Sequence, residues 1–383
     1  MIDQANPPFS LNEDQLAIQE MSRTFADDRI APFALDWDAR EHLPLDVIRE
    51  TAPLGMGGIY VREDVGGSNL SRLDAALIFE ALATGCPAFS AYISIHNMAA
   101  WMVDQFASEE QRQAWLPKLT SMEWIASYCL TEPGSGSDAA ALKTKAVKDG
   151  DDYIINGTKQ FISGAGVNEV YVVMVRTGED GPKGISTLLV EKGTPGLSFG
   201  PPEKKMGWNM QPTAQVIFED CRVPAKNLIN DEGQGFRIAM AGLDGGRLNI
   251  GACSLGGAQA ALEKAQQYMN ERKAFGKSLS QFQALQFKLA DMATELEAAR
   301  VLLYSAAAKL DAKSPDAGKF CAMAKRFATD TGFNVANDAL QLHGGYGYLA
   351  EYGVEKIVRD LRVHQILEGT NEIMRMIIAR NLI

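Results

Sequence analysis

Histidine and cysteine are scarce here, with four of the one and five of the other in 383 residues. The histidines (His42, His96, His343, His364) never recur at HxxxH spacing, and the cysteines (Cys86, Cys129, Cys221, Cys253, Cys321) are odd in number, widely spaced and without a CxxC pair. Neither a zinc site nor a disulfide framework is indicated, and no aspartate cluster reads as a calcium loop. We therefore expect no metal and a reducing compartment. There is no block of five or more Lys/Arg, and 37 basic against 48 acidic residues leave a net charge of −11. Such a chain has nothing with which to track a phosphate backbone, so we expect no nucleic-acid partner. Residues 1–10 show neither an apolar core nor an Arg-rich amphipathic pattern, which makes bacterial cytoplasm the simplest expectation, or the mitochondrial matrix for a processed eukaryotic chain. One uncharged stretch, residues 81–103, is long enough to span a bilayer. Gly85, Pro87, Ser90, Ser94, His96 and Asn97 interrupt it, and it reads better as parts of two buried helices, so no membrane span is expected.

What is present is an ordinary globular composition, 46% apolar and 22% charged, over a length that predicts two or three structural units. In the first third, Ser10-x-x-Glu13 and Ser108-x-x-Gln111 have the form of capping boxes, and Leu73, Ala76, Leu77 and Ala81 share one helical face. From about residue 123 the texture becomes short apolar or alternating runs, such as 170–175 and 185–190, divided by pairs such as Asp149-Gly150 and Asn156-Gly157 that read as turns. After residue 231 long helical stripes return (Leu255, Ala258, Ala261, Leu262, Ala265; Phe287, Ala290, Met292, Leu296, Ala299). The expected order is α, β, α, with units at 1–122, 123–231 and 232–383.

Several catalytic patterns fail. Gly276-Lys277-Ser278 lacks the first glycine of a phosphate loop and lies in what reads as helical context. Gly164-Ala165-Gly166 and Gly345-Tyr346-Gly347 are too short for a dinucleotide fingerprint. Glu132, Ser137 and Asp138 form no hydrolase elbow, since no GxSxG precedes a helix.

Five dense segments remain. Residues 128–138 (YCLTEPGSGSD) run from a strand into a small-residue turn, which allows close backbone approach to a ligand but serves equally as a hairpin exit. In Phe161-Ile162-Ser163-Gly164 an aromatic and a hydroxyl share one strand face, which suits a flat heterocycle, although core packing alone explains it more simply. Asp244-Gly245-Gly246-Arg247, read at the front of an apolar helix, offers close approach and an arginine that needs an acceptor or a salt bridge. Gln341-Leu342-His343-Gly344-Gly345 is the fourth. In the fifth, Leu367-Glu368-Gly369-Thr370-Asn371-Glu372, Glu368 follows an apolar run, so it is either a helix-cap carboxylate or one held in a water-poor pocket with a raised pKa.

Taken together and in this order, the five segments resemble the acyl-CoA dehydrogenase family over residues 10–383. Residues 126–140, 159–166, 191–196, 343–348 and 362–368 look closest to its isobutyryl-CoA branch. The resemblance implies an α+β fold of three parts: an N-terminal helical domain, a middle β-barrel-like domain and a C-terminal four-helix bundle. It implies FAD between the last two. Tyr128, Leu130, Thr131, Gly136, Ser137, Phe161, Ile162 and Ser163 match positions that contact the isoalloxazine ring and phosphates. Arg272, Phe275, Phe282, Gln283, Gln341, Leu342, Gly344 and Gly345 match contacts made across a subunit interface, and Thr370, Asn371 and Glu372 match further cofactor contacts. Ser137, Asp244, Gly245, Gly246, Arg247, Gly369 and Arg380 match the substrate side. Phe161 stands where many relatives have Trp, and Ala274 where straight-chain relatives have Thr.

Glu368 matches the family's catalytic base. Its ordinary pKa of about 4.3 is too low for that task, and desolvation by an acyl chain would lift it toward roughly 6–7. A minority of relatives carry the base just before the arginine of the third segment, where this chain has Gly246, so Glu368 has no competitor. The implied reaction is α,β-dehydrogenation of a short branched acyl-CoA, isobutyryl to methacrylyl as in valine breakdown. Electrons would pass to an electron-transfer flavoprotein, in a homotetramer built as a dimer of dimers. The alternatives within the fold are a 2-methylbutyryl- or butyryl-CoA dehydrogenase and an acyl-CoA oxidase. Outside it stands a non-catalytic flavin-bearing binding protein, which the net charge and the retained Glu368 oppose.

Overall fold

The computed structural model describes residues 11–383. Six helices open the chain: α1 (Glu13–Phe25), α2 (Ala34–Ala39), α3 (Leu45–Arg49), α4 (Arg72–Gly85), α5 (Pro87–Phe106) and α6 (Glu109–Thr120). Ser10 of the expected first capping box lies outside the described residues. The cap of α1 is Asn12, whose side chain accepts from the Gln15 amide while Gln15 returns the bond. The box on α6 forms as expected, with Ser108 and Gln111 exchanging bonds of 2.8 and 3.2 Å. The uncharged stretch is broken where α4 ends at Gly85 and Pro87 starts α5, a position at which proline costs no helical hydrogen bond. No helix of the described residues is long and apolar enough to cross a membrane.

Eight strands follow: β1 (Ala126–Cys129), β2 (Lys145–Asp149), β3 (Asp152–Ser163), β4 (Val170–Arg176), β5 (Ile185–Glu191), β6 (Leu197–Phe199), β7 (Thr213–Pro224) and β8 (Leu228–Ile229). They run β6-β7-β3-β2-β4-β5-β8, with β1 parallel to β4. A single residue pair, Lys145 with Arg176, joins the two halves, so the unit is barrel-like with open edges. Every residue of β4 is buried. Val170, Val172 and Met174 face α5 and α6, while Tyr171, Val173 and Val175 pack between the half-sheets against Ile155, Val216 and Phe218. Alternation thus lets one strand serve two cores.

Asn156-Gly157 is no turn: it lies inside β3 at a register shift opposite β7. Gly157 there has φ +147, and a Cβ on it would come within 2.5 Å of Thr144 Oγ1, so only glycine lets the bulge form against that loop.

The last third holds α7 (Gly235–Glu271), a two-stranded hairpin of β9 (Lys273–Ala274) and β10 (Lys277–Ser278), and then α8 (Gln283–Asp311), α9 (Ala317–His343), α10 (Val354–Arg362) and α11 (Asn371–Arg380). The Gly276-Lys277-Ser278 segment is therefore hairpin rather than helix, because Phe275 and Gly276 both take positive φ and reverse the chain. Asp244-Gly245-Gly246-Arg247 lies inside α7, not at its front, since that helix begins at Gly235. The long helices α7, α8 and α9 pack together, the shorter α10 and α11 pack on α9, and α4 lies along α7 to merge the two helical layers into one core.

Candidate active site

Between a helical turn at Val363–Gln365 and α11, the chain makes a tight reversal at Glu368 and Gly369. Both have left-handed backbones, φ +57 and +87. Glycine adopts this freely; a glutamate does so at a cost of about 1–3 kcal/mol unless its surroundings enforce it. The enforcement comes from α9. Lys325 Nζ donates to the Gly369 carbonyl and to Asn371 Oδ1, both at 2.8 Å, and the Asn371 amide donates to Asp330 Oδ1 at 2.7 Å. Thr370 caps α11 by accepting from the Ile373 amide.

The Glu368 side chain points back over α7. Its Oε2 atom is shut off from water and has no hydrogen-bond partner. A Cβ placed on Gly246 would lie 2.5 Å from that oxygen and 3.0 Å from Met98 Sδ, so the bare backbone at 246 is what admits the carboxylate. Burial pushes its pKa up to about 7, against the opposing pull of Arg247 and Lys325. Arg247 itself is tied to Asp244 at 2.5 Å and reaches the Glu368 carbonyl at 3.5 Å. Burial holds Asp244 above the usual carboxylate range, with Arg247 opposing. This cluster has the character of a base kept near neutrality, not of a helix cap.

Across the same space stands Tyr128, at the end of β1. Its hydroxyl is buried without a partner, and burial, with Glu368 next in weight, raises its pKa. From β1 the chain enters the turn with Leu130 buried, Thr131 half-buried, and Gly136 and Ser137 exposed. The turn is anchored beneath by an ion pair: Lys159 Nζ lies 2.8 Å from Glu132 Oε1, and Glu132 also accepts from the Lys143 and Thr144 amides. A bond from the Gln160 amide to the Thr131 carbonyl ties it to β3. There, a register shift between Lys159 and Ile162 puts Phe161 at φ +59, and its ring is 64% exposed. The core-packing alternative for Phe161 is thereby removed, while Ile162 does enter the core. The bulge, more than strand alternation, aims the aromatic outward. Ser163 follows, its carbonyl accepting from Ser127 Oγ.

Other expected residues are not brought here within one chain. Gln341, Gly344 and Gly345 are exposed at the far end of α9, with Leu342 buried beside them. Gln341, sixteen residues past Lys325, stands about 24 Å further along that helix at 1.5 Å per residue, and the two glycines lie beyond the helix end. Near them are Arg272 over the Tyr346 ring, Phe275 at 94% exposure with its edge toward Phe282, and the exposed Gln283. Arg380 is exposed in the last turn of α11, and Glu372 is exposed beside Arg375. Gly245 abuts the guanidinium of Arg72, which is buried over the rings of Tyr60 and Trp101.

Sequence reasoning missed Lys325, Arg72, Tyr60 and Met98. For Lys325 a signal existed: it shares a helical face with Cys321, Ala324 and Ala328, a charge inside an apolar stripe. Among the described residues, no group of three His, Cys, Asp or Glu side chains is placed to hold a metal ion.

Comparison with known proteins accords with this arrangement. The chain is 62% identical over 378 residues to the mitochondrial isobutyryl-CoA dehydrogenase of Dictyostelium discoideum, covering 98% of this chain and 91% of that protein. It is 57% identical over 378 residues to the protein of the same name from Bos taurus, covering 99% and 91%. The solved butyryl-CoA dehydrogenase of Megasphaera elsdenii superposes with a TM-score of 0.95 at 37% identity, covering 98% of this chain and all of that one. Models of the N-terminal, middle and C-terminal domains of acyl-CoA dehydrogenase match residues 12–123, 127–221 and 233–383 in turn. With all three domains present in order, and a buried carboxylate where their chains meet, this protein belongs to the acyl-CoA dehydrogenase family.

Proposed function

We propose that this protein is an FAD-dependent dehydrogenase of short branched-chain acyl-CoA thioesters, converting isobutyryl-CoA to methacrylyl-CoA and passing electrons to an electron-transfer flavoprotein. The observation that carries the reading is Glu368: a partnerless carboxylate oxygen, buried over Gly246, with a pKa pushed up to about 7. A base of that affinity takes a proton efficiently near neutral pH. The names of the relatives at 57–62% identity support the branched substrate.

The residues present fit FAD. The open turn at Gly134 and Gly136 leaves room for backbone approach, the Phe161 side chain is exposed, and the Tyr128 hydroxyl is buried without a partner. Tyr128, Leu130, Thr131, Gly136, Ser137 and residues 161–163 would hold the ring and phosphates. Arg272, Phe275, Phe282, Gln283 and the 341–345 turn would serve the cofactor of a neighbouring subunit, since on their own chain they stand too far from Glu368. That separation, with Phe275, Tyr346 and Tyr348 all exposed, supports a homotetramer. Thr370, Asn371 and Glu372 would complete the cofactor's surroundings. When bound, FAD supplies a two-electron acceptor.

The chain's own work is then proton removal and positioning. Glu368 takes the proton from the carbon next to the thioester, its backbone N–H donates to the thioester oxygen, and burial excludes water. Asp244 and Arg247 would hold the substrate side with Ser137, Gly245, Gly246 and Gly369, while Arg380, exposed at the end of α11, would have to reach it from outside this cluster. We place the enzyme in a reducing compartment, cytoplasm or mitochondrial matrix, and take its units as 1–122, 123–231 and 232–383. In anaerobic titration with isobutyryl-CoA, the purified protein should lose its yellow colour and Glu368→Gln should keep it. Normal bleaching of that variant would overturn the assignment of the base. Preferential bleaching by butyryl-CoA would overturn the branched substrate.

A further inference from the structure

Lys325 is a fully buried lysine with no carboxylate on its ammonium, and a methionine would fill comparable space at far lower desolvation cost. Both of its bonds go to the stretch that carries Glu368: one to the carbonyl of Gly369, the next residue, and one to Asn371, the first residue of α11. Thr329, one turn along the same helix, meets Asn371 as well. Of the charged groups on α9 that tie down this stretch, only Lys325 reaches the backbone of the two left-handed residues at 368 and 369, through the Gly369 carbonyl.

We propose that Lys325 is a positioning residue for proton abstraction: it clamps the Glu368–Gly369 turn through the Gly369 carbonyl and places a cation beside the carboxylate that must ionise. The inference rests on Glu368 being the base. Electrostatics agree with the geometry. Lys325 is among the cations opposing the rise in the Glu368 pKa, and Glu368 in turn is the leading influence favouring the charged lysine against burial, which brings its own pKa to about 7.

Other charged or titratable groups face this pair from each neighbouring element. From α7 come Arg247 and Cys253, with Asp244 behind Arg247, and from α9 comes Asp330; Cys321 on α9 and Arg72 on α4 stand behind Asp244 and Tyr60. Tyr128 approaches from β1 and Tyr60 from the segment before α4, with Glu372 on α11 and His364 in the turn before Glu368. Arg247 is the other cation acting on Glu368, and it is already engaged by Asp244. Of the two cations that act on Glu368, Lys325 is therefore the one with no carboxylate bonded to it.

The test uses the holoenzyme in three forms: unaltered, Lys325→Met and Lys325→Gln. Two quantities are followed against pH, the rate of anaerobic flavin bleaching by isobutyryl-CoA and the infrared carboxyl band of Glu368, identified by difference against Glu368→Gln. In both variants the acid limb of the rate and the infrared midpoint should move up together by about one unit, the scale of one lost opposite charge. The high-pH rate should fall about tenfold or more in Lys325→Met as the turn loosens, and less in Lys325→Gln, which keeps a donor for the Gly369 carbonyl. Rate losses with unmoved midpoints would mean a purely structural tie and would overturn the proposal. Should Lys325→Met fail to fold, Lys325→Gln decides by the same midpoint. If the unaltered enzyme is not bleached by isobutyryl-CoA, the substrate reading fails, and the infrared midpoint still decides the role of Lys325.

Discussion

Glu368 combines two unfavourable features, a left-handed backbone and a buried carboxyl without a partner. The second has a definite pH signature. In the unfolded chain the group has its ordinary pKa of 4.5, and in the folded protein about 7. Between those values the folded state holds the proton more tightly, so this residue's contribution to stability falls as pH rises through that window and stays low above it. At about 1.36 kcal/mol per unit, the deficit at pH 8 amounts to roughly 3 kcal/mol at most. Glu368→Gln should accordingly raise the urea midpoint at pH 8 and leave it nearly unchanged below pH 4.5, where both states are protonated. Equal midpoints for variant and parent at pH 8 would show that the carboxyl is not destabilised by burial. The sequence showed this glutamate beside Ile366 and Leu367. It could not show that the missing side chain at Gly246, more than a hundred residues away, makes its pocket.

At the level of elements, the open turn after β1 depends on the buried pair of Glu132 and Lys159 beneath it. Burial alone would raise the Glu132 pKa; Lys159 and the Lys143 and Thr144 bonds outweigh that and hold it low. Removing one member of a buried pair leaves an uncompensated charge and costs about 3–5 kcal/mol. Lys159→Met should therefore lower thermal stability markedly and release flavin, read as a fall in yellow absorbance per protein. Replacing both residues by apolar ones should recover much of the stability, because no lone charge remains. If Lys159→Met kept full flavin occupancy, the turn would owe its shape to something else. Periodicity marked β3 and β4 clearly, but it misread Asn156-Gly157 as a turn and gave no hint that Phe161 stands on a bulge. Bulges are decided by the partner strand's register, here β7, and a single strand's sequence does not contain that information.

For the molecule as a whole, the α, β, α order was legible because each third has its own hydrophobic period. The separation between the Glu368 cleft and the 341–345 turn was not, since it follows from the length of α9. That distance is what gives the proposed assembly its reason: on that reading, one chain would not close the cofactor site with its own residues. Phe275, 94% exposed on a left-handed backbone at the tip of the hairpin, is the natural probe. Phe275→Asp should weaken flavin retention and shift sedimentation toward smaller species, without altering the helix content or the surroundings of Glu368. A variant that stays tetrameric and fully yellow would remove Phe275 from the interface.

The sequence by itself determined the three-part frame and the scarcity of metal-ligating side chains, because composition and periodicity are local properties, while the candidate base was named only through the family resemblance. Only tertiary structure decided what that base can do. Its proton affinity depends on the absence of water, the bare backbone of α7 and two cations brought from α7 and α9, and these meet at Glu368 because of how the helices pack.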